Sequence, residues 1–144
     1  MFYPVGEYEA RMLKEAASQT FKKGAIVVYS SGYVAEAGSD PSYILGVALN
    51  AGHNGAAGAY KTLVALAHDS NTFVANVKGT GNANKTAQSD VGAAYGIVSD
   101  TNGEWFVDKD DTTNVRVRII DLVDPGGTDN GKVLVKFLSA NRYF

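Results

Sequence analysis

Between Phe21 and Asn50 the chain reads FKKGAIVVYSSGYVAEAGSDPSYILGVALN, and this stretch constrains the fold more than any other. Ala25–Tyr29 and Tyr33–Ala37 are short apolar runs on either side of Ser30-Ser31-Gly32. A three-residue loop ending in glycine, with the glycine in the left-handed region, predicts a β-hairpin. Gly38-Ser39-Asp40-Pro41 then breaks the ladder, because proline has no N–H to donate. Tyr43–Leu49 resumes as a buried strand in which Gly46 predicts a bulge or a close backbone approach. Nothing in the stretch is a nucleophile, a metal ligand or a phosphate cradle, so it reads as architecture.

The same grammar continues downstream. Thr62–Ala67 and Thr72–Lys78 predict a hairpin around His68-Asp69-Ser70-Asn71, with Phe73, Ala75 and Val77 on one face. Tyr95–Ser99 and Glu104–Val107 flank Asp100-Thr101-Asn102-Gly103, where Asn-Gly between apolar runs is a strong hairpin signal. Val115, Val117 and Ile119 alternate with Arg116 and Arg118, and Val133, Val135 and Phe137 share a face. Asn50–Tyr60 is a small-residue loop expected to be mobile or pressed against another chain. Gly79–Asp90 is expected to be a long surface loop, and Arg142-Tyr143-Phe144 to be packed or used in a contact. The segments amount to roughly eight strands and at most one or two helices, as in an antiparallel barrel or sandwich. With 144 residues and no interdomain linker, one domain is expected.

Residues 1–20 differ. Pro4 keeps Tyr3 extended, whereas EYEARMLKEAASQ is rich in helix formers, and Tyr8, Met12, Leu13, Ala16 and Ala17 can share a helical face. Two readings stand side by side: an amphipathic helix on the core, or an arm that docks on a neighbouring subunit.

Charge and composition narrow the function. Thirteen basic and fifteen acidic residues leave a net charge of −2 with no basic stripe, which argues against nucleic acid and against an anionic membrane surface. The chain has no cysteine, so disulfides, thiolate catalysis and zinc–thiolate sites are excluded. No apolar run is long enough for a membrane helix, and the N-terminus lacks the pattern of a signal peptide.

The search for chemistry returns little. His53 and His68 read as solvated loop histidines without a third ligand at metal-binding spacing. Asp108, Asp110, Asp111 and Asn114 crowd a turn, but the central glycine and distal glutamate of a calcium loop are missing. Gly79-Thr80-Gly81 lacks the rest of a phosphate-binding loop. Glu7, Glu9, Glu15, Glu36 and Glu104 read as solvated surface, and Trp105 as a core or interface residue rather than a stacking platform. No catalytic residue, metal or cofactor is expected.

The segments Lys23–Val28, Gly32–Ala37, Asp40-Pro41 and Ile44–Ala48 resemble tailed-bacteriophage head decoration, or capsid cement, proteins, and Gly103–Asp108, Val115–Asp121 and Val133–Leu138 look like small phage virion proteins. The resemblance implies a mainly β fold, an antiparallel β-barrel or sandwich that is β-tulip-like, with an extended or partly helical N-terminal arm. Residues 1–20 would form that arm and residues 21–144 the β-rich decoration domain. It implies a homotrimer, assembled in the host cytoplasm and seated on the outer surface of the virion capsid. There it would clamp major capsid protein subunits against internal DNA pressure. Carried onto this chain, the capsid-binding arm is Phe2, Tyr3, Pro4, Val5, Tyr8, Met12 and Leu13. Deleting residues 1–20 is then expected to abolish capsid binding and leave the β-domain folded. Two rival classes are a head-fibre or receptor-binding module contacting a glycan through Trp105 and nearby tyrosines, and an oligomeric β-barrel enzyme of nucleotide metabolism with carboxylates at subunit boundaries.

Overall fold

A computed structural model describes all residues from Met1 to Phe144. It is mainly β. In chain order the strands are β1 (Tyr3–Val5), β2 (Ala10–Lys14), β3 (Ile26–Ser30), β4 (Tyr33–Glu36), β5 (Gly46–Ala48), β6 (Lys61–Leu66), β7 (Thr72–Lys78), β8 (Ala94–Ser99), β9 (Trp105–Asp108), β10 (Val117–Leu122) and β11 (Lys132–Phe137). Short 3-10 turns at Gly81–Asn84, Gln88–Asp90 and Ser139–Asn141 are the only helical structure.

The strands form two sheets. The first has the order β1-β7-β11-β10-β8-β9 and closes on itself, because β9 also pairs with β7 in parallel at Val77↔Val107 and Lys78↔Asp108. Strands β7, β11, β10, β8 and β9 thus make a five-stranded barrel, and β1 lies along the first half of β7 with Tyr3 opposite Val74. The second sheet, β2-β6-β5-β3-β4, is antiparallel, and its two outer strands meet at the single parallel bridge Glu15↔Val34. Closure removes most of the unpaired edges that would otherwise recruit other chains.

One apolar core serves both sheets. It joins Ile26, Val47 and Val64 of the second sheet to Phe73, Val107, Val117 and Val135 of the first. The alternation read from the sequence is what builds it. Phe73, Ala75 and Val77 of β7, Val117 and Ile119 of β10, and Val133, Val135 and Phe137 of β11 are all buried, while Arg118 points outward. Each such valine or phenylalanine contributes about 1.5–3 kcal/mol on burial.

The N-terminal twenty residues are not helical and do not stand apart as an arm. Phe2 is completely buried, and its ring stacks on Phe137 at 5.8 Å, which in turn meets Phe73 edge-on at 5.2 Å. Strand β2 pairs along its whole length with β6, from Ala10↔Ala65 to Lys14↔Lys61. Helix propensities among ordinary residues differ by less than about 1 kcal/mol each, and an isolated helix this short is marginal in water. A five-residue ladder and a buried phenylalanine outweigh them.

Strands β6 and β7 do not form the expected hairpin either, since β6 belongs to the second sheet and β7 to the first. His68–Asn71 is a crossover between sheets, and the β1–β2 connection crosses beside it. The buried amide of Asn71 ties the two together. It donates to the carbonyls of Glu9 and Leu66, both at 2.9 Å, and accepts from the Glu9 N–H at 3.0 Å.

The β3–β4 turn is one residue shorter than expected. Ser30 pairs with Tyr33, leaving Ser31 (φ 49°) and Gly32 (φ 82°) as a two-residue turn in the left-handed region, the geometry that matches strand twist. The β8–β9 hairpin forms as expected, with the Asp100 carboxylate accepting from the N–H groups of Asn102 and Glu104. Gly46 sits where an added Cβ would collide with the Ala65 carbonyl, so the close approach of β5 and β6 requires glycine.

Candidate docking surface and polar networks

The structure separates the residues that the resemblance grouped into one arm. Phe2 belongs to the core, and Tyr3, Pro4 and Val5 are half-buried in β1 against β7. Tyr8 is exposed on the β1–β2 connection. Only Met12 and Leu13, neighbours on β2, come together as surface, with Met12 more than half exposed and Leu13 half-buried against the core.

These two residues begin a longer apolar band. With Tyr29, Gly32, Lys14 and Lys61 they line an open groove of about 510 Å³. The Tyr29 ring meets Tyr143 edge-on at 5.1 Å, and Tyr143 lies 5.6 Å from Tyr43. Met12, Tyr43 and Tyr143 are all exposed. The C-terminal segment is held there by backbone bonds, Ile44 N–H to the Asn141 carbonyl at 2.8 Å and Tyr143 N–H to the Ile44 carbonyl at 3.3 Å. The expectation that Arg142-Tyr143-Phe144 is packed or in contact describes Arg142 and Tyr143, whereas Phe144 is exposed. The groove also borders a strand edge, since β2 ends its sheet and meets β4 only at the Glu15–Val34 bridge. Aromatic residues with a polar tip are favoured at such interfaces, because the ring supplies area and the hydroxyl keeps a partner.

Glu15 is the residue that the sequence hid. Rather than solvated surface, it is 1% exposed, and three donors converge on its carboxylate. The His53 N–H donates to Oε1 at 2.6 Å, and His53 Nδ1 and the Thr62 hydroxyl donate to Oε2, each at 2.8 Å. Facing a carboxylate, Nδ1 carries the proton. Burial pushes the Glu15 carboxyl up, but the bonds from His53 and Thr62 and the charge of His53 outweigh it and hold the group below the usual carboxylate range. His53 also stacks on Tyr60 at 4.6 Å. Residues 50–60 are therefore pinned to the chain's own N-terminal segment, with Gly52 against the backbone of Gln19, and His53 is not a free loop histidine. Thr62 bonds to the carboxylate and not to the imidazole, so no hydroxyl is activated in the manner of a nucleophilic triad.

A second network fastens residues 79–90, which are less of a surface loop than expected. Asp90 is buried and accepts from Lys109 Nζ at 2.8 Å, the Tyr95 hydroxyl at 3.0 Å and the Ala87 N–H at 2.9 Å. Burial and the Asp90 carboxylate push the Tyr95 hydroxyl up to about 12.

The acidic turn is occupied with its own backbone. Asp108 accepts from the Asp110 N–H, and Asp111 from Thr113 and Asn114. Burial raises the Asp108 carboxyl, and the charges of Asp110, Asp111 and Asp40 add to the shift. No group of three histidine, aspartate or glutamate side chains converges as metal ligands would. Trp105 is buried, and its Nε1–H donates to Glu36 Oε2 at 3.0 Å, so it is a core residue.

Comparison of the chain with known protein families, with curated proteins and with solved structures finds no match in any of the three.

Proposed function

We propose that this protein is a non-catalytic assembly module, a decoration protein on the outside of a tailed-bacteriophage head that stabilises contacts between major capsid protein subunits. The observation that carries the reading is the band of exposed Met12, Tyr43 and Tyr143, joined by half-buried Leu13 and Tyr29, beside the open edge of β2. A contiguous apolar patch rimmed by polar residues marks an interaction surface. The polar networks around Glu15 and Asp90 tie loops down, and the hydroxyl of Thr62 is bonded to a carboxylate and not to an imidazole. The resemblance supplies the partner, and the burial of Phe2 and the pairing of β1 with β7 are the reason for proposing the contact at this band and not at the first residues. A homotrimer on a repetitive shell would gain avidity from several weak contacts at once, and a net charge of −2 keeps non-specific attraction to packaged DNA low. The glycan-binding alternative loses its platform, because Trp105 is in the core.

The test is co-sedimentation with expanded, undecorated phage capsids. Saturable binding at a fixed ratio to capsid subunits is expected, and it should be lost in a Met12→Glu/Tyr43→Glu variant whose melting curve is unchanged. Absence of binding by the unmodified protein refutes the capsid reading. Undiminished binding by the variant refutes the assignment of the band.

A further inference from the structure

We propose a second binding site, a cationic groove between the outer face of β10–β11 and the C-terminal segment, that takes the carboxylates of an acidic, partly apolar segment of another protein. The inference does not depend on the capsid reading. Arg118 and Lys136 stand directly opposite each other in the β10–β11 register. Like charges in that position repel and destabilise the pair of strands. Both donate only to neutral acceptors, Arg118 to the Gly92 carbonyl at 2.6 Å and Lys136 to the Asp69 carbonyl at 3.0 Å, so neither charge is neutralised.

Arg142 completes the groove, whose volume is about 460 Å³. Its side chain is only 11% exposed, and its buried Nε has no hydrogen-bond partner within the chain. A buried guanidinium without its full set of acceptors is costly. Its one acidic contact is a long bond from Nη1 to Asp69 Oδ1 at 3.4 Å, and the Asp69 side chain is 85% exposed. Two independent features, a repulsive cross-strand pair and an under-satisfied buried arginine, thus face one cavity.

The occupant follows from charge and from the walls. Three cations against one loosely held carboxylate call for added negative charge. Asp69 on Arg142 shows the chemistry that the guanidinium accepts, and the planar fork of arginine matches a carboxylate. Exposed Ile120 and half-buried Leu138 line the same groove. A phosphate would leave that apolar wall wet, whereas a peptide carrying acidic and apolar side chains in alternation covers it.

The experiment titrates the full chain with a capped peptide alternating glutamate and leucine, with its glutamine–leucine counterpart and with inorganic phosphate. Binding is followed by NMR of the arginine Nε–H and backbone amide signals. The expected result is a saturable shift of the Arg142 Nε–H and of amides in β10, β11 and residues 138–142 with the glutamate peptide, weakening as salt is added. An Arg118→Glu/Lys136→Glu variant should bind more weakly by a factor of about ten or more. Ile120→Ser, which leaves every charge in place, should weaken peptide binding too. Equal binding of the glutamine peptide, tighter binding of phosphate than of the glutamate peptide, shifts that map elsewhere, or full affinity in the charge-reversed variant would each overturn the proposal.

Discussion

Replacing Glu15 by glutamine tests the network that pins residues 50–60 to the segment following β2. The carboxylate accepts one bond at Oε1 and two at Oε2. The amide must place its NH₂ at one of these positions. At Oε1 it would face the His53 backbone N–H, which cannot turn away. At Oε2 it would face the Thr62 hydroxyl, which can rotate, and His53, which can shift its proton to Nε2 and accept. The second arrangement loses less, but the bonds that remain are no longer charge-assisted. Hydrogen bonds to charged groups contribute about 1.5–3 kcal/mol each, so Glu15→Gln should cost about 2–3 kcal/mol at pH 7. Glu15→Ala strands all three donors and should cost about 3–5 kcal/mol.

The pH dependence gives a second check. The folded-state carboxyl is held below its unfolded value. Its stabilisation is therefore fully present above the unfolded carboxylate pKa of about 4.3 and is lost as pH falls through the lower folded value. The stability gap between the parent protein and Glu15→Gln should accordingly be widest near neutrality and narrow in acid. Urea unfolding followed by the fluorescence of buried Trp105, at neutral pH and in acid, measures both. Equal stabilities at pH 7, or a gap that is the same at both pH values, would refute the reasoning.

Three further outcomes are expected. Deleting residues 1–20 removes Phe2, β1 and β2, and circular dichroism should show an unfolded chain, since loss of a buried phenylalanine side chain alone costs about 3–5 kcal/mol; a cooperative melt of the truncated protein would contradict this. Gly46→Ala drives a methyl group into the Ala65 carbonyl and should lower stability by about 1–3 kcal/mol in thermal melts, and an unchanged midpoint would show that β5 and β6 can part at no cost. Lys109→Met leaves Asp90 buried beside an apolar chain and should cost about 3–5 kcal/mol, with Asp90→Asn in the same protein recovering part of it; absence of that recovery would place the cost elsewhere.

Much of the first sheet was legible because its information is local. Alternation in β7, β10 and β11 has a period of two residues, and the Asn-Gly turn between β8 and β9 specifies its own hairpin. The close approach required at Gly46 and the core position of Trp105 could also be read from their neighbours in the sequence. The readings that failed concern β2, Phe2, the β6–β7 crossover and Glu15, and each depends on residues far along the chain. Phe2 is buried by Phe137. Glu15 finds its donors 38 and 47 positions away, and no spacing rule predicts them.

The docking band divides in the same way. Met12 and Leu13 were singled out from sequence, and the final tyrosine was marked as packed or in contact, but nothing local joins them. Their junction is made by Tyr29 on β3 and by the backbone bonds that lay the C-terminal segment beside Ile44. The sequence by itself determined a mainly β chain, its turns and the inward faces of its strands, because steric and hydrophobic preferences act over a few residues. Only the tertiary structure decided that Tyr3–Val5 and Ala10–Lys14 become strands, which carboxylates are buried, and which side chains remain as surface. Those outcomes rest on long-range burial and pairing energies that exceed the local preference, of less than about 1 kcal/mol per residue, that opposed them.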